Sequence, residues 1–400
     1  MKRRAVLMGT SSVLVSGLRT AAAQNAAIDP GLPSGTREEA VMDTLPGKKP
    51  LIKLTYRPPN YETPLEAFTS QLTPNDQFFV RYHLSQLPDR ESLANWSLAI
   101  GGDAAGKQTQ LSLADIQRLP QHEVVAVCQC SGNRRGLSSP HVPGVQWGVG
   151  AMGCALWRGP RLRDILALAG IGPAAVEIAF RGADGPVLDA TPAFVKSIPT
   201  SRAMADDTIV AIRMNDADLP LYNGFPARLV IPGWTATYWM KHLTNLEIRS
   251  TKLDNFWMKS AYRVPSGMFP GTPFPTQDTA INRPITDIVI NALATSHADG
   301  AQVRGSGFTL AGQAWDNGAG IDRVEVSING GTTWGIAMLG NQEGRFGFQP
   351  WSIRLVSSPG RLSPLIRATS KSGAVQPQKS IFNPAGYHHN AIQTLSLIAT

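Results

Sequence analysis

The sequence predicts an α+β chain. A mixed helix-and-strand domain covers residues 61–280, and a β-sandwich of immunoglobulin-like size follows over 281–400. Three observations carry this. Capped helices alternate with β-branched strands through the first part. From Ile281 onward the texture changes to short strands, with turn signals about ten residues apart. The chain of 400 residues is 42% apolar and 16% charged, enough material for large cores and outside the range of disordered chains.

Residues 1–23 are set apart before charge is interpreted. Met1-Lys-Arg-Arg4 is basic, Ala5 to Leu18 is uncharged and mostly small or apolar, and Ala21-Ala22-Ala23 offers a small-residue cleavage site. Arg3-Arg4 ahead of Val6-Leu-Met8 has the twin-arginine look, so a removable export signal and a periplasmic location are expected. Loss of Lys2, Arg3, Arg4 and Arg19 lowers the formal charge from +8 to +4, leaving 33 basic against 29 acidic residues. That mild balance, without basic runs interleaved with aromatics, gives nucleic-acid binding no support. No apolar run reaches the length of a membrane span.

Residues 24–60, rich in Pro, Gly and Lys, read as a leader wrapping the surface. Leu65 to Leu72 is a short helix, and Asn75 to Leu84 a strand by its aromatic and β-branched content. Alternation there places Arg81 and His83 on one face and Val80 and Tyr82 on the other. Two polar groups on one face point at something polar, or at solvent on a sheet edge. Trp96 to Ile100 is a strand, and Leu111 to Pro120 a helix with a Ser112-x-x-Asp115 capping box and a proline stop. His122 to Val127 is a strand, Gly144 to Cys154 a glycine-rich loop, and Pro160 to Ala169 a helix closed by Gly170. Val176 to Phe180 is a strand that turns at Arg181 to Gly185 and returns over Val187 to Ala190. A further strand lies in Asn223 to Gly233, and Asn255 to Pro275 is an aromatic loop carrying Tyr262. In the second part, Asp322 to Ile328 alternates cleanly into an Asn329-Gly-Gly331 hairpin turn.

The chemistry concentrates in Cys128-Gln-Cys130-Ser-Gly-Asn-Arg134-Arg135-Gly136. Thiolates bind soft metals and nearby cations favour the thiolate; arginine forks bind oxyanions. A lone cysteine is otherwise a small buried hydrophobe and such arginines surface solvation. Cys128, Cys130 and Cys154 make an odd count, and a Cys-x-Cys bridge would be strained, so at least one thiol stays free. Arg228, Lys241 and His242 sit among Gly, Pro and aromatics, which favours anion contacts over solvation.

Several of these stretches, taken in order, resemble the sulfite oxidase family of molybdenum enzymes. They are Phe79-Val-Arg81-x-His83, Cys130-x-Gly-Asn-Arg-Arg135, Gly144-x-x-Trp147, Gly224-Phe-Pro-x-Arg228, Lys241, Tyr262, Val324-Glu-Val-Ser-x-x-Gly330-Gly-x-Thr-Trp334 and Asn383-Pro-x-Gly386-Tyr-x-x-Asn390. The resemblance implies a sulfite-oxidase-type molybdopterin-binding fold and one molybdopterin per chain, its metal bound by the Cys130 thiolate. His83, Asp184, Asn223, Arg228, Lys241, Arg81 and backbone near Ser197 are then cofactor contacts. Arg81, Arg135, Trp147 and Tyr262 form the sulfite pocket. The implied reaction is oxygen-atom transfer from sulfite to sulfate, with a related molybdenum oxidoreductase acting on another small sulfur or oxo substrate as the alternative. Asn223 stands where vertebrate members carry His, and Ala385 where they carry Arg. With no Cys-x-x-Cys-His for haem, the electrons are expected to pass to a periplasmic c-type cytochrome. The assembly would be a homodimer or a heteromer with a cytochrome subunit.

Overall fold

The computed structural model describes residues 41–265, 277 and 281–400. The expected export signal, the first part of the leader and much of the loop after Tyr262 lie outside the described residues.

The later part of the leader is not a surface wrap. Met42–Asp43, Leu51–Thr55, Asn60–Glu62 and Val80–Arg81 form a four-stranded antiparallel sheet. Leu51, Tyr61, Val80 and Tyr82 close its core, because the apolar alternation of these short segments fits one sheet face. The expected strand 75–84 shrinks to Val80–Arg81. Lys48 Nζ takes the Asn75 and Phe78 carbonyls at 2.6 and 3.1 Å, so they serve a side chain rather than a ladder.

Two larger sheets build most of the first domain, beside a two-stranded pair of Ile209–Ala211 and Arg228–Val230. In one, Val195–Pro199, Glu177–Gly182, Leu243–Arg249, Ser97–Gly101 and Thr109–Ser112 lie side by side, with Leu243–Arg249 and Ser97–Gly101 parallel. The return strand expected at 187–190 is instead Val195–Pro199. Pro186 and Pro192 flank the intervening turn, lack amide donors and leave Val187 and Leu188 exposed. In the other sheet, His122–Gln129 pairs along its length with Met152–Gly159, so Cys154 lies in a strand rather than in the loop before it. The helix Leu113–Arg118 carries the full Ser112–Asp115 capping box. Leu162–Ala169 ends at Gly170, whose φ of 74° suits a residue without Cβ. Phe78, Trp157 and Trp239 pack edge to face at the centre.

The second domain holds two four-stranded sheets, one built on Phe308–Trp315 and Gln349–Leu355, the other on Ile321–Ser327 and Leu365–Ser370. Leu310, Val324, Trp351 and Ile366 bring both into one core. A separate apolar seam welds the domains, with Val127, Met152 and Cys154 against Leu293, Trp315 and Phe348. Trp315 Nε1 donates to Gln129 across it. Among the described residues, no helix is long and apolar enough to cross a membrane.

Candidate active site

A cavity opens where the Val80–Arg81 strand, the end of His122–Gln129 and the segment around Arg228 and Lys241 converge. The alternation read from the sequence holds. Val80 and Tyr82 face the core, while Arg81 and His83 line the cavity. Arg81 Nη1 donates to Asn60 Oδ1 at 3.2 Å, and the carbonyl of Arg81 accepts from Lys241 Nζ at 2.7 Å. That ammonium lies 4.1 Å from the Tyr82 ring centroid, a cation–π contact that partly replaces lost hydration.

The two neighbouring thiols take different places. Cys130 follows the strand, anchored by its amide to the Ala151 carbonyl at 2.9 Å, and lines the cavity. Cys128 is fully buried, and Arg228 Nη2 lies 3.1 Å from its sulfur. All three cysteines are free. Arg228 is held by the Asn223 carbonyl at 3.0 Å and stacked 5.3 Å from the Trp157 ring, while its Nε finds no partner among the described residues. Asn223 lines the cavity, donates to the Phe79 carbonyl at 3.1 Å and accepts from Lys48. The Ser131 hydroxyl, beside Cys130, is buried without a partner. Buried orphan donors mark a place where a further acceptor is wanted.

Tyr262 sits at φ 56°, a left-handed backbone that a tyrosine adopts only when its surroundings hold it. Its hydroxyl is hydrogen-bonded to His83 Nε2. The His83 ring in turn stacks on Phe194 at 3.9 Å and meets Trp257 edge to face at 5.2 Å.

Among the described residues, charge in the cavity is lopsided, with Arg81, Arg228 and Lys241 facing the single carboxylate Asp184. Burial pushes Lys241 down to about 8, Asp184 opposing and Arg228 and Arg81 adding to the shift. Burial raises Asp184, against the pull of Lys241 and Arg81. Desolvation and the surrounding cations Arg81, Lys241, Lys196 and Arg135 hold His83 well below its ordinary value, so the imidazole is neutral. Burial raises the Tyr262 phenol, which stays protonated and able to donate.

Three of the residues expected here stand outside the cavity wall. Arg135 is buried beside it, with Nε on the Ala385 carbonyl at 2.7 Å and Nη1 on the Val145 carbonyl at 3.0 Å. Trp147 is fully buried in the core. The Ser197 hydroxyl is bound to Glu177 at 2.7 Å, on the strand face opposite Lys196 and Ile198.

Two buried lysines escaped the sequence reading. Lys48, from the leader, braces Asn223. Lys196 is fully buried, donates to the Trp257 carbonyl at 2.8 Å and lies 5.5 Å from the Tyr262 ring centroid. Burial pushes both to about 7. Lys196 had a signal, since alternation puts it on the apolar face with Phe194 and Ile198; Lys48 in Gly-Lys-Lys-Pro had none.

Comparison with known proteins places these features in context. A family model for the oxidoreductase molybdopterin-binding domain matches residues 84–257, and one for the Mo-co oxidoreductase dimerisation domain matches 282–397. Human mitochondrial sulfite oxidase is 32% identical over 366 residues, covering 86% of this chain and 65% of that protein. The chain thus spans about two thirds of the length of such mammalian relatives. Sulfite oxidase of Gallus gallus is 33% identical and covers 83% and 74% of the two chains. The crystal structure of the sulfane dehydrogenase SoxCD from Paracoccus pantotrophus superposes with a TM-score of 0.73 at 23% identity, over 97% of each chain, a likeness of fold.

Proposed function

This chain belongs to the sulfite oxidase family, and from that premise we propose that it oxidises sulfite to sulfate at a molybdopterin-bound molybdenum and passes the electrons to an external acceptor, a c-type cytochrome. The observation that carries the reading is a free thiol, Cys130, lining one cavity with Arg81, Arg228 and Lys241.

The donor set fits the cofactor. Among the described residues, no three His, Cys, Asp or Glu side chains converge as a metal site. Cys130 is therefore a lone soft ligand, suited to a metal whose other ligands arrive with an organic cofactor. Arg228 and Lys241 would hold the anionic end, with Asn223 and the orphan Ser131 hydroxyl as further partners. When bound, the cofactor supplies the oxygen-atom transfer and accepts two electrons.

The chain's own residues do the placing. Arg81 draws the dianion into the cavity, and Tyr262 presents a protonated hydroxyl, aimed by neutral His83, to an oxygen of the substrate. Arg135 and Trp147 fix the wall behind. We read the second domain as an immunoglobulin-like sandwich, since its two four-stranded sheets share one core, and as the contact for a homodimer or a cytochrome partner. Export to the periplasm rests on the twin-arginine pattern at Arg3-Arg4.

The test is sulfite-dependent reduction of cytochrome c by periplasmic protein assayed for molybdenum and pterin. We expect turnover in the wild type and none in Cys130→Ser, whereas full activity in the variant would overturn the reading. One observation favours another small sulfur substrate as the second reading. Ala385 brings no cation, and its carbonyl occupies Arg135. Molybdenum in the protein without sulfite turnover would select that reading.

A further inference from the structure

The carboxy-terminal segment reaches back across the domain seam onto the reaction site. The His388 amide donates to the Ser131 carbonyl at 2.9 Å, next to Cys130. Arg134 Nη1 donates to the Ala391 carbonyl at 2.9 Å, and Arg135 Nε to that of Ala385 at 2.7 Å. Between these tethers stands Tyr387. Asn383 fixes its backbone on both sides, accepting from its amide at 2.9 Å and donating to its carbonyl at 2.8 Å. Its ring stacks on Tyr262, centroids 5.2 Å apart and planes 20° from parallel, and the Arg135 guanidinium lies 5.6 Å from its centroid.

Beyond this pair lies a second, small hollow between Ser138–Ser139 and the segment Ser380–Asn383. Tyr262 lines the reaction cavity, Tyr387 lines the second, and the two share no wall residue. The stacked rings stand between them. Each is clamped from outside, Tyr262 by His83 and Tyr387 by Arg135 and Asn383.

We propose that Tyr387 is a specificity-determining residue: its ring, stacked on Tyr262, closes the reaction cavity against the second cavity and restricts the substrate to a bare sulfur oxyanion. Resting on the sulfite reading above, this adds the feature that rejects organic sulfinates, in which a carbon replaces one oxygen of sulfite. A sulfinate would need room for its substituent beside Tyr262, where Tyr387 now stands. Its oxidation has the same balance as that of sulfite: R–SO₂⁻ and water give R–SO₃⁻, two protons and two electrons. One S–O bond forms, and two equivalents of ferricyanide take the electrons.

The experiment compares wild type, Tyr387→Ala, Tyr387→Leu and Tyr387→Phe, each loaded to equal molybdenum content. Sulfite and benzenesulfinate are the substrates and ferricyanide the acceptor, and benzenesulfonate binding is followed by calorimetry. Wild type and the Phe variant should prefer sulfite by at least about 100-fold in kcat/KM, the range by which a built wall discriminates. In the Ala variant that ratio should narrow at least about tenfold, with benzenesulfonate binding tightened to match. The Leu variant should fall between, and it carries the comparison if Ala does not fold. An unchanged ratio and unchanged benzenesulfonate affinity in both small variants would overturn the proposal, as would wild type accepting benzenesulfinate as well as sulfite. Loss of sulfite turnover in every protein, wild type included, would count against the reaction assigned above. The calorimetric arm would still decide the role of Tyr387.

Discussion

The two domains bury charge in opposite ways. In the second, each buried acid is met by matched donors. Glu325 receives Arg367 through two nitrogens at 3.0 and 3.2 Å, and Asp316 accepts from Ser370 at 2.6 Å and from the Gly318 amide at 2.8 Å. In the first, Glu62 is likewise met by the Gly148 and Gly150 amides, but several buried or cavity-lining groups are cations resting on carbonyls and a thiol. Lys48 sits on Asn75 and Phe78, Lys196 on Trp257, Lys241 on Arg81, and Arg228 on Asn223 and Cys128. Taking a cation out of water is costly without a compensating anion. The buried acids of the second domain are satisfied by its own sequence, whereas the first holds cations at a cavity suited to an anionic ligand.

That contrast can be broken most severely at the two thiols. Cys130→Ser should reduce molybdenum content and sulfite turnover by more than about 100-fold, since a metal ligand outweighs the residues that orient it. Cys128→Ser, two residues away behind Arg228, should lose less than about tenfold. Equal losses, measured by metal analysis and steady-state kinetics, would erase the distinction between the cavity thiol and the core thiol. Next in size is Tyr262→Phe. Removing a hydroxyl aimed into the cavity should lower kcat by about 100-fold with the fold intact, and circular dichroism with stopped-flow kinetics checks both halves.

A smaller effect concerns the cofactor-free protein. Lys48 and Lys196 have folded-state values near 7, against 10.5 for an ordinary lysine. Between those values the unfolded chain binds protons that the folded chain does not, so stability rises with pH. It is lost again as pH falls toward 7. Each lysine should contribute about 1.4 kcal/mol per pH unit at most, and denaturant melts at pH 7, 8 and 9 should show a rising midpoint. Glu325→Gln, in the self-satisfied domain, should cost only about 1 kcal/mol and leave turnover unchanged.

Much of this was legible in order along the chain. The Ser112–Asp115 capping box and the Gly170 stop are local signals, and the helices between them formed as read. The alternation of Val80-Arg-Tyr-His83 gave the right face to each residue, although only two residues pair as strand. The misreadings have different causes. Residues 42–62 form a sheet because a distant strand offers an edge, and Val187–Ala190 fails to return because Pro186 and Pro192 flank it. Arg135, expected at the sulfite pocket, places two of its nitrogens on carbonyls from separate segments, one of them in the second domain, contacts that its neighbours in sequence do not encode.

The sequence by itself determined the periodicities, the caps, the free thiol and the ordered set of family residues, because each depends on neighbours within one turn or strand. Tertiary structure alone decided that Arg228 backs the Cys128 sulfur, that the leader's Lys48 braces Asn223, and that Tyr387 of the second domain stacks on Tyr262 of the first. Those contacts join residues far apart in the chain. Their energies depend on packing and desolvation that no local pattern encodes.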